Sequence, residues 1–172
     1  MHARGHKGIA LLLYAPITYI LLTMSRPFLA VGGLVVVLML SMLPDIDMVI
    51  SLLKHRGSTH TVWFAIAVGV GLVGLVLGIV YGINSLGIVA VAVPAAYLLF
   101  VFGVGFLGIL YHIIGDATNQ TGVRPWWPLS NRKYALKVSN SDSKIANWAY
   151  YIIGLVANMG AVALALQQHL LV

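Results

Sequence analysis

Cysteine is absent from this 172-residue chain, which excludes disulfides, thiolate metal ligands and cysteine nucleophiles. Glutamate is absent as well, so the carboxylate side chains are Asp45, Asp47, Asp116 and Asp142. Charge of either sign is scarce: Asp, Glu, Lys and Arg make up 8% of the residues, where a soluble domain carries about 25%. That deficit excludes an ordinary soluble globular protein. No basic stripe interleaved with aromatics argues for a nucleic-acid groove, so direct nucleic-acid binding is not expected. The formal net charge of +6 reads instead as membrane orientation and attraction to anionic headgroups.

What the chain has in abundance is apolar residues, 60% of the total, gathered into long runs. The length suits one helical membrane domain over 1–172 and is too short for two domains of ordinary size. Ile9 to Met24 reads as a first membrane helix, left uncleaved because Ser25-Arg26-Pro27 offers no small-residue cleavage site. Phe28 to Leu43 is shorter than the ~20 residues of a usual crossing, so the first two runs either cross twice or form a re-entrant hairpin. Thr61 to Ile83 is a clear span, with Ser58 or Thr59 placed to cap it and a Gly74/Gly78 pair predicting close helix packing. Leu86 to Ile114 would reach ~43 Å as one helix and must tilt, kink at Pro94 or project. A polar loop over 115–144 carries Pro125-Trp126-Trp127-Pro128, an interfacial anchor, and Ile145 to about Leu166 is the last span. The expected fold class is all-α: a polytopic integral membrane helical bundle of about five transmembrane helices.

Five crossings put the N-terminus, the stretch Pro44–His60 and the 115–144 loop on one side. Nine of the ten Lys and Arg residues then lie there, and only Arg26 lies opposite. By the positive-inside rule that side is cytoplasmic. The same assignment gathers most of the histidines and aspartates onto it, although the orientation used only Lys and Arg.

Pro44–His60 is the central polar interruption. It holds Asp45, Asp47, His55 and His60, and its partners are expected in His112 and Asp116, with His6 as a further candidate. His112 and Asp116 stand i, i+4 at a helix end and share a face, which suits two ligands on one metal or one on each of two. Asp45 and Asp47, read as an extended segment, point the same way and repel without a cation. The competing structural reading makes one Asp a helix cap and the histidines interfacial residues. Seven candidates (His6, Asp45, Asp47, His55, His60, His112 and Asp116) exceed the four ligands of one tetrahedral zinc and would suit two ions acting on a phosphoryl group. Arg56 would stabilise phosphoryl oxygens, and Lys7 or Arg124 would attract a headgroup. His2, His169 and Asp142 have no evident partner. Serine–histidine catalysis lacks a nucleophile elbow and leaves the carboxylates unexplained.

Leu43–Asp47 (LPDID), His55–His60 (HRGSTH) and His112–Pro128 (HIIGDATNQTGVRPWWP), with Gly5-His6 before them, resemble the YdjM-like family. That family is described as LexA-binding, inner-membrane-associated, metal-dependent hydrolases, distantly similar to zinc-dependent phospholipase C. One departure stands at Met48, where the family often carries His. The resemblance implies an inner-membrane hydrolase whose metal ligands are His6, Asp45, Asp47, His55, His60, His112 and Asp116. The expected activity is cleavage of a phosphoester in a lipid or lipid-linked substrate at the cytoplasmic face. The expected cofactor is zinc, in one or two ions, with manganese or magnesium as alternatives, and Asp47, Asp116 and Arg56 serve the chemistry. Two rivals are a metal-ion transporter and a non-catalytic adaptor that docks a cytosolic protein through the 115–144 loop.

Overall fold

The structure, a computed structural model, describes residues 1–48, 56–87 and 89–170, with His169 described by its backbone only. Five α-helices follow in order: α1 (Ala3–Thr23), α2 (Pro27–Leu40), α3 (Val62–Ser85), α4 (Ala95–Ala117) and α5 (Lys144–Leu170). Two short 3-10 segments, Leu43–Met48 and Ser58–His60, sit between α2 and α3. No strand forms among the described residues; the loop after α4 has only the isolated bridges Asn119–Ser139 and Val123–Tyr134. All five helical stretches are long and apolar enough to cross a membrane, the second one when Pro27–Met48 is taken together. The chain is thus a helical membrane bundle. In hydrocarbon each helix satisfies its own backbone, which leaves side-chain packing to decide who lies beside whom.

The chain turns back after α1 through Ser25, at φ 55°, and Pro27 opens α2, where its missing N–H costs nothing. α4 is central and touches α1, α2 and α3. Ala10, Tyr14, Val37, Val104 and Tyr111 form one buried cluster; Ala65, Ile109, Ile113 and Val123 form another on the other side of α4. α5 packs along α1, and the two run parallel: His2 lies beside Asn147, Gly8 beside Tyr150 and Tyr151, and Leu11 beside Asn158. A side chain at Gly8 would collide with the α5 backbone, so this crossing requires glycine.

Several expectations are corrected. The apolar run Leu86–Ile114 is not one helix: α4 begins only at Ala95, because Pro94 does not continue a helix from its N-terminal side, and the described residues 89–94 before it are non-helical. α3 is capped by Thr61, whose Oγ1 accepts from Phe64 N at 3.2 Å, and not by Ser58 or Thr59, which are taken up in the 3-10 turn. Among the described residues the Gly74/Gly78 pair makes no close packing: a methyl group at either would meet none of them within 4 Å. Close approach falls instead on Gly69 and Gly105, where a Cβ on Gly105 would stand 2.9 Å from Gly69 Cα. α3 therefore shows most of its surface to lipid and buries only Ala65 and Gly69.

Candidate metal centre

One end of the bundle collects polar side chains from four segments. His6 comes from the first turns of α1, His112 and Asp116 from the last turns of α4, Asp45 and Asp47 from the 3-10 segment after α2, and His60 from the turn before α3. His6, His60 and His112 are fully buried, and Asp47 and Asp116 nearly so. His55 lies outside the described residues.

Backbone geometry explains the aim of each group. Asp45 and Asp47 were expected to point the same way in an extended segment, but the segment is a 3-10 helix, whose ~120° per residue separates positions i and i+2. They bracket one imidazole as a result. Asp45 Oδ1 is 3.7 Å from His60 Nε2, while Asp47 Oδ2 is 3.3 Å from His60 Nδ1. Asp47 Oδ2 also accepts from Thr59 Oγ1 at 3.0 Å and from Arg56 N at 2.9 Å. The latter bond helps hold Arg56 at φ 57°, a left-handed conformation unusual for a residue with a side chain. His6 reaches the centre because Gly115 leaves room: a Cβ there would lie 2.9 Å from His6 Nδ1. The His6 and His112 rings stack, centroids 3.7 Å apart and 5° from parallel.

Tautomers follow from the partners. His112 Nδ1 is 2.7 Å from the carbonyl oxygen of Ser41, one of the carbonyls left over at the end of α2. A carbonyl only accepts, so Nδ1 carries the proton and Nε2 presents a lone pair. Thr59 Oγ1, whose hydrogen goes to Asp47, stands 3.0 Å from His60 Nδ1 and can only accept there, so His60 has the same tautomer. The two Nε2 atoms face each other at 3.1 Å. Around them Asp116 Oδ2 lies 3.4 Å from His60 Nε2, Asp45 Oδ1 3.5 Å from His112 Nε2, and Asp116 Oδ1 3.6 Å from His6 Nε2. Neither ring nitrogen of His6 has a hydrogen-bond partner among the described residues. Lone pairs and carboxylates pressed together away from water repel, and a cation among them removes the conflict.

Among the described residues, two overlapping trios have ligand atoms within 4.8 Å of one another: His6, Asp45 and His112, and His60, His112 and Asp116. This all-nitrogen-and-oxygen set could hold a metal ion. Asp47 belongs to neither trio and orients His60 from behind, the arrangement in which a carboxylate fixes a ligand's tautomer. Arg56, expected to serve phosphoryl oxygens, has its guanidinium against Asp116, Nε to Oδ2 at 3.0 Å and Nη2 to Oδ1 at 3.2 Å, and also meets Thr121 Oγ1. The Met1 amine stands 3.6 Å from Asp116 Oδ1.

Sequence reasoning missed Asn119, fully buried, whose amide reaches Asp116 Oδ1 and the Gly115 carbonyl, both at 3.4 Å. Its i+3 spacing from Asp116 was the available signal. Ser41 gave none, because it acts through its backbone.

A family model described as YdjM inner membrane protein matches residues 1–171. The chain belongs to the YdjM inner membrane protein family. No curated protein and no solved structure matches it. Membership agrees with the five membrane-capable helices and with the motifs that line the centre.

Proposed function

We propose that this YdjM-family protein is a membrane-embedded, metal-dependent hydrolase that cleaves a phosphoester in a lipid or lipid-linked substrate at the cytoplasmic face. The observation that carries the reading is the pair of Nε2 atoms of His60 and His112 facing each other at 3.1 Å, with Asp45, Asp116 and His6 closing around them. His6, His60, His112, Asp45 and Asp116 would hold the cation. A bound divalent ion supplies Lewis-acid polarisation of a phosphoryl oxygen and makes water a competent nucleophile near neutral pH.

The chain's own groups account for the rest. Asp47 and Thr59 keep His60 in one tautomer, and the Ser41 carbonyl does the same for His112. Asp45, the one partly exposed carboxylate of the centre, is placed to accept a proton from incoming water. Arg56, with its side chain 17% exposed, holds Asp116 from the open side and gives an anionic headgroup a cation to meet. Trp126 and Trp127, both more than 40% exposed in the neighbouring loop, suit the headgroup level. The loop is tied to the bundle beside the centre, since Val62 N donates to Pro125 O at 2.9 Å and Trp63 meets Trp126 edge-on at 6.4 Å. The excess of Lys and Arg on this side supports a cytoplasmic orientation.

The test is phosphate release from a panel of phospholipids by protein reconstituted in vesicles, with and without chelator and metal restoration. The expected result is chelator-sensitive release that Asp45→Asn abolishes. Metal bound in stoichiometric amount with no release from any phosphoester would overturn the hydrolase reading and favour an adaptor or a transporter.

A further inference from the structure

Two cavities lie beside α1 and α5, on a different face of α1 from the metal centre: the outer one in the seam between these two helices, the inner one where α2 joins them. The outer one, about 370 Å³, is lined by His2, Arg4, Lys144, Asn147 and Trp148, together with Ala3. The inner one, about 530 Å³, has Lys7 and Tyr151 in its lining and is otherwise apolar, with Leu11, Leu38, Met39 and Leu155 among its walls. Their alignment follows from helix periodicity. At about 100° per residue, Arg4, Lys7 and Leu11 fall on one stripe of α1, and Lys144, Trp148, Tyr151 and Leu155 on one stripe of α5. Because the two helices run parallel, the stripes descend side by side, from cationic to apolar. His6 points elsewhere, more than about 100° around α1.

We propose that this seam binds one anionic phospholipid, its phosphate in the outer cavity and an acyl chain in the inner one. Charge selects the headgroup. Arg4 and Lys144 make no ion pair among the described residues, and Arg4 lies over the Trp148 ring, 4.5 Å from its centroid, which holds the guanidinium at the cavity without neutralising it. The first turn of α5 adds its positive dipole end, and Ser143 Oγ accepts from Ala146 N at 3.2 Å to fix that turn. Polarity then selects a lipid over a free anion: immediately inward the walls become leucine and methionine, which a soluble phosphate would leave unused. Trp148, 45% exposed, stands where an indole marks the headgroup level. Occupancy also fastens the start of α1, already tied to α5 by His2 N donating to Asn147 Oδ1 at 2.9 Å, and that turn leads directly to His6. Lipid binding here does not depend on hydrolysis at the metal centre.

The experiment measures binding to the purified full-length protein of three probes: short-chain phosphatidylglycerol, short-chain phosphatidylcholine and inorganic phosphate. Phosphatidylglycerol should bind at least about tenfold more tightly than either of the others, and Arg4→Gln/Lys144→Gln should weaken it by about tenfold or more. Arg4→Lys/Lys144→Arg should retain binding, as should Arg132→Gln/Lys133→Gln, which removes the same charge from the loop. Metal content should be the same in the Gln pair as in the wild type. Equal affinity for phosphatidylcholine, or an unchanged affinity in the Gln pair, would overturn the proposal. So would equal loss in the loop control or in the charge-keeping pair, and inorganic phosphate binding as tightly as the lipid would reduce the seam to a free-anion site.

Discussion

The two ends of the bundle treat polar groups in opposite ways. At the end opposite the centre, polar side chains are exposed and satisfied locally. Thr23 and Ser85 donate to carbonyls three residues back, and Asn84 makes a reciprocal pair with the Val91 backbone, at 2.9 and 2.7 Å. Arg26 donates to the Tyr97 hydroxyl at 3.2 Å. At the other end three histidines and two aspartates are buried against one another, drawn from segments more than a hundred residues apart in the chain. Local satisfaction is the inexpensive solution in a membrane protein. A cluster that forgoes it, and turns lone pairs toward lone pairs, marks a place organised for a ligand.

The comparison can be broken by mutation, and the largest effect is expected at Asp116. Asp116→Ala strips Arg56 of its carboxylate and removes a metal donor, so thermal or denaturant unfolding should show a loss of about 3 kcal/mol together with loss of bound metal. Stability near that of the wild type would show that the Arg56 pair is not structural. Next is Asp47→Asn, which removes no proposed ligand but takes the carboxylate charge away from His60 Nδ1 and Thr59 Oγ1. Metal titration should show affinity falling about 10- to 100-fold, whereas no change would remove Asp47 from the orienting role. Gly115→Ala tests packing alone: the added methyl presses on His6 and should weaken metal binding about tenfold, while Gly74→Ala, which faces open space, should change neither metal binding nor stability by more than about 0.5 kcal/mol. Smallest is Asn84→Ala at the far end, expected to cost about 1 kcal/mol in unfolding measurements and to leave metal content untouched. A fall in metal content there would erase the distinction between the ends.

Much of the architecture was readable because lipid leaves few options. Apolar runs had to be helices, apart from the stretch just before Pro94, and Ser25-Arg26-Pro27 punctuated them where the structure does. The helix contacts were not readable. Gly74 and Gly78 match a packing pattern, yet Gly69 and Gly105 make the contact, since which face meets a neighbour depends on tertiary placement and not on spacing. In the centre, residue types pointed to His6, Asp45, His60, His112 and Asp116, because ionisable groups between apolar runs are expensive without a purpose. Their division of labour was hidden. Asp47 turned behind His60 only because LPDID coils into a 3-10 segment, and the tautomer of His112 depends on a Ser41 carbonyl that any residue could have supplied. Arg56 was assigned to substrate by its charge, but its position against Asp116 depends on a left-handed backbone that nothing in HRGSTH announces.

The measurement that bears most directly on the central claim is elemental analysis of the wild-type protein purified without chelator, beside His60→Ala and His112→Ala. The prediction is at least one equivalent of a divalent transition metal in the wild type and its loss in both variants. A wild-type protein that carries no stoichiometric metal, and takes up none when zinc or manganese is added, would contradict it.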